Sequence, residues 1–451
     1  MNLTRAFRPL PRFAALWLMA GLRCATHAAN PILHGFADPA MREWNGRMYL
    51  CVGKDLSPTH KGFAMPYWAI YSSSDLVNWT QEKIIDPAAV SFMGKGNPNC
   101  WAADLMFRNN QFYFYFSDGG KATGVLVADR PDGEYRDVLK THLLPPDLAH
   151  NSAYDPTIFT DSDGTSYLTF GRDGHLNGEK ENRHYKIAKL NPDLISLAET
   201  PRDLLTDQPY GFGNANRATD HSYFHRYKDT YYLSRDQTYM TSKSVYGPFE
   251  RPRNTGQSGH SCFISYHGQW YHGYEFTDEE FGVRTYRQVM LTYLHYKDNG
   301  DMIDDRFFIK GGGGYALGVG NYDAAWDRIE AEWFFEIYGA EKRNAPGGGF
   351  EVRPSANGAY LKFPQVRNLA ENSPLFLQVS SANPHGGKIA VHAGSPEGRL
   401  LGTCEIPCTM GWEKYQRVSC GLKNSAGTVD LCLVFESDGE PPRLDWMSFK
   451  P

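Results

Sequence analysis

Five segments of the chain alternate apolar with polar positions at the period of two that marks a half-buried strand, and each is rich in aromatic residues. They are NGRMYLCV from Asn45, NNQFYFYF from Asn109, DGTSYLTF from Asp163, KDTYYLSR from Lys228 and HGQWYHGY from His267. Another short strand precedes each turn, in ADPAMREW, ADLMFR, YDPTIFTD, TDHSYFHR and GHSCFISY. The pattern predicts five hairpins whose first strands open on Asp38, Asp104, Asp155, Asp220 and His260. Five such repeats predict the blades of an all-β propeller, with innermost strands that start at one face of a central axis and gather distant residues at one funnel. An aspartate at a strand start is ordinary turn chemistry; five polar openings in matching places point to a site.

Composition agrees with many short strands. Aromatic residues make up 14% of the 451 residues and glycines number 44, a balance suited to strands and tight turns. Lys and Arg number 46 against 51 Asp and Glu, a formal net charge of -5, and without a basic stripe nucleic acid is not an expected partner. Residues 1–29 read as an export signal: Arg5, Arg8 and Arg12 precede the apolar FAALWLMAGL, and small residues follow in ATHAA. An exported protein, periplasmic or extracellular, is expected, with no membrane span. Cleavage near Ala28 would remove Cys24. Of the seven remaining cysteines, Cys404, Cys408, Cys420 and Cys432 lie close enough in sequence for a disulfide or two, and Cys51, Cys100 and Cys262 read as small apolar fillers.

The stretches NPILHGFADPAM, WAADLMFRNNQFYFYFS, SAYDPTIFTDSDGTSYLTFG, GHSCFISYHGQWYHGYEF and YRQVMLTYLHYKDNGDMI resemble, in order, the signatures of glycoside hydrolase family 43. The resemblance covers residues 30–318 and implies a five-bladed propeller performing an inverting hydrolysis with three acidic residues. It makes Asp38 the general base, Asp155 the residue that orients the acid and tunes its pKa, and Asp220 the general acid, where the family usually has a glutamate. One carboxyl must protonate the leaving oxygen while another, across the sugar, draws a proton from water. Aspartate is one methylene shorter, so Glu275 as donor and a degenerate, merely carbohydrate-binding site are the rival readings. Phe36 and Trp101 resemble the aromatic walls of the sugar subsite and Arg287 a substrate-side arginine. His260 resembles a histidine beneath the funnel that contacts calcium or a water network. Trp68 and Trp79 read as blade packing. Asp104 is left out of the catalytic set as a structural residue.

From Tyr322 to Pro451 the chain resembles a family 6 carbohydrate-binding module, a β-sandwich of jelly-roll type, through IEAE, GGGFEV, GSPEGRLLGTCEIP, GWEKYQ and RLDWMSF. The resemblance implies a structural calcium held by Glu330, Glu332 and Asp445. Trp412 matches one wall of the module's sugar cleft, but Pro354 stands for the facing aromatic and Arg443 for the usual asparagine. That departure favours a domain that packs on the propeller over one that binds sugar. The whole predicts an exo-acting glycosidase that removes terminal arabinofuranosyl or related residues from an oligosaccharide or polysaccharide and needs no cofactor for its chemistry. A β-xylosidase or galactofuranosidase of the same fold is the nearest alternative.

Overall fold

A computed structural model describes residues 30–149, 153–171, 185–204, 221–235, 238–254, 259–277, 285–304, 319–320 and 322–451. The five predicted hairpins are present, each extended outward by neighbouring strands that follow in sequence order. The first blade runs Phe36–Trp44, Arg47–Lys54, Trp68–Ser73 and Thr80–Ile85. The second opens with Cys100–Arg108 and Gln111–Asp118, the third with Thr157–Thr160 and Ser166–Phe170, and the fourth with Tyr223–Tyr227 and Thr230–Arg235. The fifth runs Ser261–Tyr266, Gln269–Thr277 and Arg287–Tyr296. Two short strands flank Arg287–Tyr296: Leu33–His34 from the start of the chain and Met302–Asp304 from its continuation. Pairing Leu33 with Val289 ties the segment ahead of the first blade to the last blade and closes the ring.

Aromatic rings fill the spaces between blades. Trp68, fully buried, packs on Phe114 and Phe116 of the second blade; Phe159 of the third meets Phe224 of the fourth. Large flat side chains bury much apolar area at the fixed spacing of facing sheets. The expected filler cysteines Cys51, Cys100 and Cys262 are buried.

The strand register corrects two of the expected openings. Six residues back from the last paired position of four hairpins, Trp44, Arg108, Tyr227 and Tyr266, lie Asp38, Ala102, His221 and His260. Asp104 is thus not the counterpart of Asp38. It lies two residues farther along its strand: the pairing skips from Trp101 to Ala103, and residue spacing alone does not mark that bulge. Asp220 lies outside the described residues.

The C-terminal part is a sandwich of two sheets. One is ordered Ala340–Asn344, Phe350–Pro354, Arg443–Ser448, Pro374–Ser381 and Gly411–Gly421; the other Glu336–Tyr338, Tyr360–Leu369, Gly427–Glu436, Gly387–Ala393 and Leu400–Ile406. Leu375, Leu377 and Val379 alternate inward along one strand and are fully buried. Cys404 and Cys420 form a disulfide. The sandwich packs on the propeller through a shared hydrophobic core that includes Tyr271, Tyr293, Tyr322, Trp333 and Phe335. The Tyr271 hydroxyl donates to the Phe335 carbonyl at 3.4 Å, and the Ile337 N–H to the His267 carbonyl at 3.2 Å.

Candidate active site

Asp38 and Asp155 head the inner strands of blades one and three, and each is followed by a proline. Both hold a left-handed backbone, with φ of 55° and 54°. Short polar residues tolerate that region, but it is disfavoured ahead of proline. In the first blade the pairing skips from Ala37 to Ala40, so Asp38 stands in a bulge that re-aims its side chain. Such strained positions persist where the surroundings over-determine them, and they cluster at functional sites. Asp155 is fixed from the second blade: its N–H donates to Ser117 Oγ at 2.9 Å, while that hydroxyl lies 2.8 Å from the Ala102 carbonyl.

His260 joins the two acids. Its Nδ1 lies 3.4 Å from Asp38 Oδ1 and its Nε2 3.8 Å from Asp155 Oδ2, so the imidazole spans the gap between carboxylates from blades one and three. His221 stacks on His260 with centroids 4.6 Å apart. Burial, and then His260, push the His221 pKa well below the ordinary histidine range, so that ring is a neutral support.

Arg287, at the head of the third strand of blade five, organises the other side. Its Nη1 donates to Asp38 Oδ1 at 2.8 Å and to Glu275 Oε2 at 3.0 Å. Its Nη2 donates to Asp55 Oδ1 at 2.8 Å, and its backbone N–H to Asp55 Oδ2 at 2.7 Å. The Asp38 N–H donates to Glu275 Oε2 at 3.3 Å. Burial pushes the Glu275 carboxyl upward, Arg287 opposes that shift, and Asp38 adds to it. Because both carboxylates contact one guanidinium nitrogen, Glu275 and Asp38 sit closer than the roughly 6.5–9.5 Å that separates the two carboxyls of an inverting pair. Glu275 therefore belongs beside Asp38 rather than opposite it.

Below this group a second arginine closes the axis. Arg42 of blade one pairs with Asp104 of blade two and Tyr223 of blade four, and its Nη2 donates to the Ile158 carbonyl of blade three at 2.7 Å. Asp104 also accepts the N–H groups of Leu105 and Ile158, at 2.8 and 2.9 Å. Burial raises its pKa to about 6 although Arg42 opposes the shift. Asp104 ties blades one, two and three together.

The two expected aromatic walls differ. Phe36 is 9% exposed, with Tyr71 against it edge-on at 5.7 Å and the Lys54 ammonium 4.7 Å from its ring centre, so it packs rather than walls a pocket. Trp101 is half-buried and donates its indole N–H to the Phe63 carbonyl at 2.9 Å. Sequence reading missed Asp55, which follows a strand end, and Phe63, which lies in a loop without periodicity; the Asp-Pro dipeptides were the available signal for Asp38 and Asp155.

In the sandwich, Arg328 Nε donates to Glu330 Oε1 at 2.6 Å, and Asp445 lies within electrostatic reach of Glu330. Burial raises Glu330 to about 7 and Asp445 to about 6. Among the described residues no group of three or more His, Cys, Asp and Glu side chains is arranged to hold a metal ion. Glu332 is buried nearby, and Arg328 supplies a positive charge beside Glu330. The Arg443 guanidinium lies 4.4 Å from the ring centre of Trp412, against one face of the ring, and is paired with Glu351 at 3.3 Å.

Comparison with known proteins matches this arrangement to two families. The model of glycosyl hydrolases family 43 matches residues 28–302, and that of carbohydrate binding module (family 6) matches 330–451. An arabinoxylan arabinofuranohydrolase of Bacillus subtilis is 26% identical over 477 residues, covering 91% of this chain and 90% of its own. A β-D-galactofuranosidase of Aspergillus niger is 25% identical, covering 66% and 91%. The solved structure of a Bacillus subtilis family 43 arabinoxylan arabinofuranohydrolase in complex with cellotetraose is 25% identical, covers 93% of this chain and 97% of its own, and superposes with a TM-score of 0.52. The match to the hydrolase family spans more than half the chain, and it carries the strained aspartates and the buried arginine described above: the chain belongs to glycosyl hydrolase family 43.

Proposed function

We propose that this glycoside hydrolase is an exo-acting, inverting enzyme that removes terminal arabinofuranosyl residues from arabinose-bearing glycans. The observation that carries the reading is the pair of strained aspartates, Asp38 and Asp155, held from different blades by Arg287, Ser117 and His260. The relatives named as arabinoxylan arabinofuranohydrolases span nearly the whole chain and support the sugar. Asp38, held by Arg287, takes a proton from water as the water oxygen attacks the anomeric carbon. The bond to the leaving oxygen breaks, and Asp220 delivers a proton to that oxygen. Asp155 orients the acid and, as a third carboxylate, favours its protonated form. Two carboxyls and water suffice for this reaction, so it needs no metal or other cofactor. Residues 1–29 support a periplasmic or extracellular location, where polysaccharide is met.

The β-D-galactofuranosidase among the relatives favours a second reading, release of another furanose from the same pocket. The test is hydrolysis of aryl α-L-arabinofuranoside, β-D-galactofuranoside and β-D-xyloside with the first-formed anomer followed by proton NMR. Inverted arabinose is expected. A first product of retained configuration would overturn the mechanism, and full activity of Asp220→Asn on a poor leaving group would remove Asp220 as the acid.

A further inference from the structure

Blade five holds a second set of polar side chains, for which the proposed reaction has no use. His272 lies on the strand Gln269–Thr277, and Asp304 ends the strand Met302–Asp304 at the outer side of the same sheet. His272 Nδ1 lies 2.8 Å from Asp304 Oδ2, and His272 Nε2 lies 2.9 Å from the hydroxyl of Ser261, the first residue of the inner strand Ser261–Tyr266. The carboxylate accepts the Nδ1–H, which leaves Nε2 bare to accept the Ser261 hydroxyl proton. The hydroxyl's other acceptor, the Gly259 carbonyl, is farther away at 3.4 Å.

Serine, histidine and aspartate joined in this order have the connectivity of a hydrolytic triad. Enclosure excludes that use: Ser261, His272 and Asp304 are 2%, 0% and 2% exposed, and Phe263 stacks on His272 with centroids 4.4 Å apart. Polar groups kept in such a core are costly, and their hydrogen bonds to one another offset that cost while fixing a single arrangement. The line ends beside the active site. Ser261 follows His260, the ring between Asp38 and Asp155, and its carbonyl accepts from His221 Nε2 at 3.0 Å, from the ring that stacks on His260. The His260 carbonyl accepts the Glu275 N–H at 3.0 Å. Ser261 is thus a junction, with its hydroxyl fixed through blade five and its carbonyl fixed by the stacking partner of His260.

We propose that Ser261, His272 and Asp304 are positioning residues, a hydrogen-bonded line across blade five that fixes the head of the inner strand and so holds His260 at its distances from Asp38 and Asp155. This rests on the proposed glycosidase activity at that site. None of the three touches substrate; they act through His260. A displacement of about 1 Å at the reacting groups can cost on the order of 10²-fold, and loosening one strand head should cost part of that.

The experiment measures kcat, KM and thermal unfolding on aryl α-L-arabinofuranoside for Ser261→Ala, Asp304→Ala and the double variant in the full chain, with Tyr296→Phe as a control. The Tyr296 hydroxyl lies 2.7 Å from Nε2 of the buried His225, so the control removes a buried hydrogen bond of the same blade that lies off the line. Each single variant is expected to lower kcat by about fivefold to twentyfold with KM within about twofold. The double variant should lose no more than the worse single, because a line is broken once, and Tyr296→Phe should leave kcat per folded molecule unchanged. Unchanged kcat in the singles, losses that multiply in the double, or an equal loss in Tyr296→Phe would overturn the proposal. If Asp304→Ala does not fold, Ser261→Ala against Tyr296→Phe decides by the same split of kcat from KM. Histidine side-chain NMR, with the His260 signal assigned by its loss in His260→Gln, separates the two levels. If the wild type hydrolyses no substrate, the proposed activity fails, yet a His260 signal moved by Asp304→Ala, or by His272→Phe where that variant is the one that folds, supports the line, and a signal left in place sinks it.

Discussion

Two arginines join the blades near the propeller axis, Arg287 buried and Arg42 partly exposed, and they do opposite work. Arg42 meets one carboxylate, Asp104, and its other partners are a phenol and two backbone carbonyls, those of Met41 and Ile158, so charge balances and four of its five N–H donors are used. Arg287 meets three carboxylates, Asp38, Asp55 and Glu275, with Asp155 just beyond His260. One positive charge among that many acids leaves negative charge in excess; burial raises Glu275, and the repulsion from Asp38 adds to that shift. The lower arginine closes the fold and the upper one keeps a carboxylate ready. The lesson is that a buried ion pair marks structure when its partners are satisfied, and marks chemistry when its partners compete.

The strongest way to break this comparison is to exchange the two effects. Asp38→Asn is expected to lower kcat by roughly 10²–10⁴, the worth of a general base, while thermal unfolding moves little, since Arg287 retains Asp55 and Glu275. A variant that unfolds without a separate loss of kcat would place Asp38 with the structural pairs. Asp104→Asn should do the reverse: leaving Arg42 beside a neutral amide costs about 3–5 kcal/mol, read from urea unfolding, with kcat per folded molecule unchanged. A large loss of kcat at full stability would move Asp104 into the active site.

Arg287→Lys probes a smaller quantity, the geometry of the fork. An ammonium is a point charge and cannot meet Asp55 with one edge while holding Asp38 and Glu275 with another. A displacement of about 1 Å in Asp38 can cost on the order of 10²-fold, so kcat/KM should fall by about 10–100-fold with the charge conserved. Activity within a few-fold of wild type would show that charge alone suffices.

Much of this was legible in the sequence because blades repeat. Alternation with aromatic residues located all five hairpins, and the Asp-Pro pairs at Asp38 and Asp155 mark the bends that the backbone angles confirm. What failed is what a repeat does not encode. The bulge at Asp38 and the skipped pairing between Trp101 and Ala103 shift the register, so Ala102 occupies the place assigned to Asp104. Asp55 and Phe63 sit where strands end and loops begin, with no period to flag them. In the sandwich, Trp412 was visible as an aromatic platform, but its contact with Arg443 depends on a side chain 31 positions away in sequence. The pairing of Cys404 with Cys420 among four candidates likewise needed two adjacent strands in three dimensions.

The finest test of the competing-partner idea is Glu275→Gln, which keeps shape and removes charge. The groups facing Glu275 are Asp38, Arg287 and His260. In the wild type an ionised Glu275 raises the cost of ionising Asp38, so the acid limb of kcat/KM lies higher than it would alone. The variant lifts that repulsion, and the limb should move to lower pH by up to about one unit, or about 1.4 kcal/mol. Stability carries the same sign. A carboxyl whose folded pKa is raised contributes stability that is present below its unfolded value near 4.5 and lost as pH rises through the folded pKa. The glutamine does not titrate, so its stability relative to wild type should grow as pH rises through that window. A limb that stays in place would mean Arg287 already cancels Glu275 at Asp38, and the upper arginine would then differ from the lower one in exposure rather than in charge.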